Sequence, residues 1–246
     1  MNVLEKVRVP QVRLPDVMLP ESVARAMCPQ AMPSGINGWI DAHLMPLGDH
    51  DGLYPRAVGL LDLQPDDDLV EVACGVGALL QRHAARARFV AGLDHSPLQV
   101  GFARKRLADR IAAGTAEVVL GDAAALPWQD GRFSAAVCVA GLELMPEPAA
   151  AIRELRRVLR PGGRAAFTAG TCPDDDAAAR RRSEALGFWA PTEAQVRDIA
   201  RDAGFAEVEI SYMGTPPGLG GAIELWLSRA TFGASQMRFV RTVVGP

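Results

Sequence analysis

Short apolar runs alternate along most of this chain with segments in which apolar residues recur every three or four positions. The run at 69–72 is apolar apart from one glutamate, and a turn with Gly75 and Gly77 follows it. Beyond the turn, Leu79, Leu80 and His83 fall at helical spacing. The pattern predicts a buried strand, a glycine turn and a helix. Such a turn presents backbone N–H groups and a helix N-terminus to a ligand.

The same alternation continues to the end of the chain. It predicts further strands at 89–94, 117–120, 133–140, 165–169, 207–212 and 237–244. Between them, Ser96-Pro97 is a typical helix start, and residues 192–195 form a capping box. Strands that alternate with helices predict an α/β fold with a parallel sheet.

Two stretches in the second half have less regular patterns. Ile152, Leu155 and Leu159 predict one apolar stripe of a helix, and the Pro-Gly-Gly sequence at 161–163 predicts the turn into the next strand. Residues 174–187 predict a charged, alanine-rich helix, whereas 214–230 fit either helix or strand.

Residues 1–55 differ from the rest because seven of the 18 prolines lie there. That density is incompatible with long helices and central strands, so we expect an irregular N-terminal arm with a short helix at 38–45. The arm is interpreted either as a lid over a substrate or as a structural strap. Residues 56–246 are expected to form the main domain.

Composition narrows the class of protein. The chain has 246 residues, a net charge of −3 and a pI near 5.8, which predict no nucleic-acid partner and no anionic membrane surface. No stretch is apolar over the length of a membrane span or signal peptide. The four cysteines lack paired spacing, so we expect reduced thiols, no metal site and a cytoplasmic location. A monomer or a homodimer is expected.

Four segments are predicted to meet where the strands end. They are the turn at 74–77, Asp94, Asp122 with Ala123, and the loop at 140–145. Asp94 follows Gly75 by 19 residues, where a carboxylate can accept both hydroxyls of a ribose. Asp122 and Ala123 are placed to read the edge of a flat base. A nicotinamide dinucleotide is disfavoured because Leu80 stands where the fingerprint requires Gly or Ala.

Five stretches resemble the successive motifs of class I S-adenosylmethionine-dependent methyltransferases. They are 71–77 (EVACGVG), 92–97 (GLDHSP), 121–127 (GDAAALP), the strand from 133, and 158–163 (VLRPGG). The likeness covers about residues 66–212 and is greatest to the small-molecule branch of ubiquinone- and menaquinone-type enzymes. It implies a Rossmann-like, seven-stranded, mostly parallel sheet with helices on both faces and the last strand antiparallel.

The resemblance also implies S-adenosylmethionine as cofactor. The positions expected to bind it are Glu71, Cys74, Gly75, Gly77, Asp94, His95, Asp122, Ala123 and Ala140. By position, the two glycines line the methionine and ribose part, Asp94 binds the ribose, and Asp122 with Ala123 binds the adenine. Glu71 orients the amino-acid end or only bonds the turn from beneath. His95 packs on the adenine or is a solvated residue at a helix start.

A sulfonium methyl donor is reactive, so the protein mainly aligns the acceptor and excludes water. A base is needed only where the acceptor loses a proton. The candidates are Glu143, His43 and Tyr54, with His50 and Tyr212 as further titratable residues.

The leading hypothesis is methyl transfer to a small, partly apolar metabolite, at oxygen or nitrogen rather than carbon, in a specialised biosynthetic pathway. The second is a cyclase or binding module that keeps the cofactor without transferring the methyl group, because fold does not fix function. The third, a nicotinamide oxidoreductase, is disfavoured.

Overall fold

The structure is a computed structural model that describes residues 52–171, 177–212 and 236–246, together with Pro20 and Ser22. Several predictions lie outside the described residues: most of the arm, including its helix at 38–45 and His43, and the ambiguous segment 214–230. Residue 55, the predicted end of the arm, lies within the first helix of the continuous described part.

The described elements follow the predicted alternation. The strands are β1 (Asp68–Val72), β2 (Phe89–Asp94), β3 (Ala116–Leu120), β4 (Phe133–Cys138), β5 (Leu159–Thr171), β6 (Phe205–Tyr212) and β7 (Gln236–Val244). The helices are α1 (Leu53–Leu61), α2 (Ala78–His83), α3 (Pro97–Arg106), α4 (Ala108–Ala112), α5 (Pro148–Arg157), α6 (Ala177–Ala185) and α7 (Glu193–Asp202). A single turn of 3-10 helix lies at Leu142–Leu144.

The seven strands form one sheet in the order β3-β2-β1-β4-β5-β7-β6. The pairs among β1 to β5 are parallel, whereas β7 is inserted between β5 and β6 and is antiparallel to both. The predicted fold class, a mostly parallel seven-stranded sheet with the last strand antiparallel, is confirmed.

Two apolar layers cover the two faces of the sheet. On one face, Ile152 and Leu155 of α5 and Val196 of α7 pack on Phe167 and its neighbours. On the other face, α1, α2 and α3 pack on a second set of strand residues that includes Leu69. Because both faces are covered, every residue of β1 and β4 is buried, as expected for central parallel strands.

Two helix starts predicted from the sequence are confirmed by their hydrogen bonds. The Ser96 hydroxyl accepts a bond from the Gln99 N–H group, and Pro97 is the first residue of α3. Thr192 and Gln195 form both halves of the capping box at the start of α7. Each start depends on residues within three positions, so the local sequence determines it.

The prediction that Leu159 belongs to the helix before β5 is wrong. Leu159 is the first residue of β5 and pairs with Phe133 on β4. Ala135, which lies two positions after Phe133, pairs with Arg164, which lies five positions after Leu159. The Pro-Gly-Gly segment is therefore a bulge within β5 rather than a turn before it, and Gly162 takes a left-handed φ of 71° there.

Paired charges hold the amino-terminal edge of the sheet together. The Asp67 carboxylate accepts bonds from the Ser134 hydroxyl at 2.6 Å, the Gln64 N–H group at 2.7 Å and the Arg164 guanidinium. Although burial raises the pKa of Asp67, these hydrogen bonds bring it below its ordinary value. This edge lies opposite the carboxyl ends of the strands, where the site residues were predicted.

Candidate functional site

The carboxyl ends of β1 and β4 mark the point at which the strand order reverses. From β1 the chain crosses to β2 and β3 on one side, whereas β4 and β5 lie on the other side. Ligands of open α/β sheets bind at such a point. Each of the four predicted segments follows a strand that ends at this edge.

Left-handed glycines shape the turn between β1 and α2. Gly75 has a φ of 51° and Gly77 a φ of 71°, conformations that L side chains rarely adopt. A Cβ on Gly77 would lie 3.3 Å from the Cβ of Ala103, so α3 packs directly on this glycine. Within the described part of the chain, no heavy atom lies within 4 Å of the place a Gly75 Cβ would occupy. The Gly75 backbone therefore faces open space.

Asp94 ends β2 and joins the turn to α3. Its Oδ2 accepts a bond from the Gly75 N–H group at 2.9 Å, and its Oδ1 accepts one from the Ser96 N–H group at 2.9 Å. A carboxylate has about four acceptor positions, so about two remain for a ligand. The His95 imidazole is 49% exposed, and its Nδ1 lies 3.7 Å from Asp94 Oδ1.

Glu71 places a buried carboxyl group beneath the turn. Among the described residues its Oε2 has no hydrogen-bond partner. Burial, and secondarily the charge of Asp94, raises the pKa of Glu71 well above its ordinary value. A buried oxygen without a partner is a place where a ligand can donate a hydrogen bond.

Cys74 contributes its main chain to the turn, while its side chain packs into the sheet. A Cβ on Gly92 would lie 2.9 Å from the Cys74 Sγ, so the thiol occupies the space beside β2. Burial, with smaller contributions from Glu71 and Asp94, raises the pKa of this thiol well above its ordinary value. The Cys74 side chain is therefore neutral and packed, and the predicted contact of Cys74 with the cofactor stays a prediction.

The loop after β3 carries Asp122 and Ala123. Asp122 is exposed, and its Oδ1 accepts a bond from the Ala124 N–H group at 2.8 Å, which leaves further acceptor positions on the carboxylate. A short antiparallel bridge between Asp122 and Ala125 tightens the loop.

Two residues of α5 that the sequence analysis missed hold this loop in place. Glu154 accepts a bond from the Leu126 N–H group at 2.7 Å. Arg157 donates to the carbonyl oxygens of Leu126 and Trp128 at 2.9 and 2.8 Å and pairs with Glu154. The signal in the sequence was an acid followed three positions later by an arginine on a helix, but that spacing does not reveal the loop it contacts.

The loop after β4 buries the side chain of Glu143. Its Oε1 accepts a bond from the Thr168 hydroxyl at 3.3 Å, and its Oε2 has no partner among the described residues. Burial raises the pKa of Glu143 to about 7, although the Thr168 hydroxyl and the N–H groups of Glu143 and Gly170 lower it. The Trp189 N–H group donates to the Glu143 carbonyl oxygen at 2.9 Å and ties the loop to the chain before α7.

Strained alanines flank the junction of β1 and β4. Ala73 and Ala140 adopt left-handed backbones with φ of 59° and 52°, at a cost of about 1 kcal/mol each. The strand predicted to reach Ala140 therefore ends earlier, at Cys138. A Cβ on Gly141 would lie 2.7 Å from the Ala73 Cβ and 3.1 Å from the Cys138 Sγ. Strain of this kind clusters at functional sites.

Of the other candidate bases, only Tyr54 among the described residues lies beside the glycine turn. Its half-buried ring on α1 packs, as Phe102 does, against Val76 and Ala78. Tyr212, at the end of β6, lies under the Arg238 guanidinium at 4.7 Å. His43 and His50 are not among the described residues.

Within the part of the chain that the structure describes, no group of three or more His, Cys, Asp or Glu side chains lies in a position to hold a metal ion. No helix of that part is both long and apolar enough to cross a membrane.

Comparison with known proteins identifies the family. A family described as "Methyltransferase domain" matches residues 70–167. The 2-phytyl-1,4-naphtoquinone methyltransferase of Thermosynechococcus vestitus is 30% identical over 175 residues, which cover 70% of this chain and 76% of that protein. A ubiquinone/menaquinone biosynthesis C-methyltransferase of Ectopseudomonas mendocina is 32% identical over 112 residues, and the match spans 43% of that protein.

Solved structures share the fold. The 4+2 cyclase SpnF superposes with a TM-score of 0.64 and 22% identity over 79% of this chain and 80% of that one, a likeness that concerns the fold alone. The motif order, the sheet topology and the Thermosynechococcus vestitus relative together show that this chain belongs to the class I S-adenosylmethionine-dependent methyltransferases, whose cofactor is S-adenosylmethionine.

Proposed function

We propose that this enzyme transfers the methyl group of S-adenosylmethionine to an oxygen or nitrogen atom of a small, partly apolar metabolite in a specialised biosynthetic pathway. One observation carries the proposal. At one edge of the sheet, a bare glycine turn adjoins Asp94, which has spare acceptor positions, and Glu71, which has an unpartnered buried oxygen. These groups complement a ribose and an ammonium group.

The residues fit the cofactor in distinct ways. Gly75 and Gly77 line its methionine and ribose part, and Asp94 accepts the ribose hydroxyls with the positions its backbone bonds leave free. Glu71 accepts a bond from the ammonium group, which favours the ionised form of this carboxyl. When bound, S-adenosylmethionine supplies an electrophilic methyl group on a positively charged sulfur.

The remaining predicted positions surround the adenine and the methyl group. Asp122 and Ala123 hydrogen-bond the edge of the base, and the half-exposed His95 either packs on its face or stays solvated. Ala140 begins the loop that carries Glu143, so the acceptor lies against this loop. The protein's contribution to rate is to align the acceptor and exclude water from the strand ends.

The named relatives bear on the class of acceptor. One acts on 2-phytyl-1,4-naphtoquinone, and the other belongs to ubiquinone and menaquinone biosynthesis. Both names concern quinones, one of them with a phytyl chain, and we carry only that ring chemistry to this chain. In this proposal residues 1–55 are the N-terminal arm or lid, and residues 56–246 form the cofactor-binding domain.

A second candidate function is cyclisation without methyl transfer. The fold shared with the SpnF cyclase favours it, because the same architecture accommodates that reaction class. Product mass distinguishes the two functions, since a transferase adds a methyl group and a cyclase leaves the mass unchanged.

The test is an incubation of the purified protein with S-adenosylmethionine carrying a deuterated methyl group and a panel of naphthols, phenols and aryl amines. We expect a product heavier by the labelled methyl group, which fragmentation assigns to oxygen or nitrogen. A labelled methyl group on ring carbon would correct the predicted atom. Absence of label from every acceptor, with a protein that binds S-adenosylhomocysteine, would count against transfer.

A further inference from the structure

The side-chain carboxyl group of Glu143 lies where β4 and β5 end, and binding of the cofactor does not account for its surroundings. Glu143 is 7% exposed and its Oε2 has no partner among the described residues. Burying a carboxyl group without full hydrogen bonding is costly, so the site is shaped for something other than stability. A ligand that donates a hydrogen bond would satisfy this oxygen.

The Thr168 hydroxyl determines which Glu143 oxygen is free. Thr168 Oγ1 accepts a bond from the Ala140 N–H group at 2.7 Å, so its single hydrogen remains to be donated. That hydrogen points to Glu143 Oε1 at 3.3 Å. These two hydrogen bonds of the Thr168 hydroxyl fix Oε1 of Glu143 and leave Oε2 as the proton-accepting position. They also link the carboxyl group to Ala140, one of the two strained alanines.

Among the described residues, Glu143 lies near the buried thiol of Cys138, the last residue of β4. The pKa of this thiol is raised by burial and then by the charges of Glu143, Glu71 and Asp94. On β5 the contacts come from the uncharged Thr168 and the Gly170 backbone. Burial is the largest influence on the Glu143 pKa.

We propose that Glu143 accepts the proton of an aromatic or enolic hydroxyl on the methyl acceptor, and that Thr168 is the positioning residue that orients Glu143. This inference rests on the proposed function, whose acceptor class it makes specific. A phenol resembles a tyrosine side chain, with a pKa of about 10, within about three pH units of the carboxyl group at about 7. An aliphatic alcohol, whose pKa is near the value of about 16 for water, is too weak an acid for this base.

The O–H bond of the acceptor breaks, its proton passes to Glu143 Oε2, and its electron pair stays on oxygen. The acceptor oxygen then forms a bond to the methyl carbon, while the carbon–sulfur bond breaks and its electron pair remains on sulfur. The products are the methyl ether, S-adenosylhomocysteine and a protonated Glu143, which returns its proton to solvent.

The test measures the binding of two matched naphthyl probes to the complex of the protein with S-adenosylhomocysteine. 1-Naphthol carries the hydroxyl proton and 1-methoxynaphthalene lacks it. At pH 8 we expect 1-naphthol to bind on the order of tenfold more tightly, because the ionised Glu143 accepts its hydrogen bond. This preference should decrease as the pH falls through about 7 and should be absent in Glu143→Gln.

Three threonine variants separate positioning from packing. Thr168→Val should shift the midpoint of the preference to higher pH, because the ionised carboxyl loses a donor, whereas Thr168→Ser should restore it. Thr242→Val is the control, since Thr242 is an equally buried threonine whose hydroxyl bonds the Ala165 carbonyl oxygen. It should leave the preference unchanged.

The outcomes distinguish this inference from the proposed function. S-adenosylhomocysteine should bind the wild type and all these variants alike, and failure to bind the wild type would overturn the proposed function itself. If it binds, the inference is overturned by equal affinity for both probes, by no binding of either probe, or by a preference that survives Glu143→Gln. A Thr168→Val variant that behaves like the wild type would overturn the positioning role.

Discussion

Replacing Glu143 with glutamine should change how the stability of the protein depends on pH. The pKa of Glu143 is about 7 in the folded protein and near 4.5 in the unfolded chain. Between these values the folded state binds more protons than the unfolded state. The free energy of unfolding of the wild type therefore falls as the pH rises through this window. Glutamine does not titrate, so this contribution is absent from Glu143→Gln.

The size of the effect follows from the two pKa values. Each pH unit of difference corresponds to about 1.4 kcal/mol, so the window from 4.5 to about 7 corresponds to about 3 kcal/mol. The substitution also alters the bond from Thr168, which adds a nearly constant offset. The free energy of unfolding of Glu143→Gln, measured relative to that of the wild type, should therefore increase by about 3 kcal/mol between about pH 4 and about pH 8.

Urea denaturation followed by circular dichroism at a series of pH values measures this difference directly. Glu154→Gln is the matched control, because hydrogen bonds from Arg157 lower the Glu154 pKa below its ordinary value. Glu154→Gln should be less stable than the wild type by a margin that stays constant above about pH 6. A difference between Glu143→Gln and the wild type that does not vary with pH would refute the raised pKa and the reasoning built on it.

Two further substitutions test the packing and the charge pairs that position the site. Gly141→Ala should cost about 2 kcal/mol, because its Cβ would lie 2.7 Å from that of Ala73. Urea denaturation should show that Gly141→Ala costs about 1 kcal/mol less in a protein that also carries Ala73→Gly. If the effects of the two substitutions on the free energy of unfolding simply add, the close contact is contradicted. Asp67→Asn should cost about 2 kcal/mol at neutral pH through its bonds to Arg164 and Ser134. Because the Asp67 pKa is lowered on folding, this cost should shrink as the pH falls below about 4, and an equal cost at pH 7 and pH 3 would contradict the assignment.

The sequence predicted correctly the helix starts, which depend on residues close together along the chain. The Ser96-Pro97 start and the Thr192 capping box each act within one turn of helix, and both are confirmed. The end of α5 was predicted wrongly because Leu159 continues the apolar spacing of the helix although it begins a strand. Its place depends on pairing with Phe133, a residue 26 positions away that spacing along one helix cannot reveal.

The same distinction applies to the site. Asp94 could be placed from its spacing after the glycine turn, because one helix and one strand of ordinary length, α2 and β2, separate the turn from this residue. The contact between Thr168 and Glu143 could not be placed, since it depends on how β5 aligns with the loop after β4. The anchoring of the loop after β3 by Arg157 was missed for the same reason.

Calorimetric titration of S-adenosylhomocysteine into the purified protein tests the central claim most directly. We expect micromolar or tighter binding to the wild type, none of NADH, and a loss of affinity in Asp94→Ala, which removes both the proposed ribose acceptor and the bond to Gly75. Asp202→Ala, at an exposed aspartate that ends α7, should bind like the wild type. Binding of NADH instead, or S-adenosylhomocysteine affinity that Asp94→Ala leaves unchanged, would contradict the assigned cofactor site.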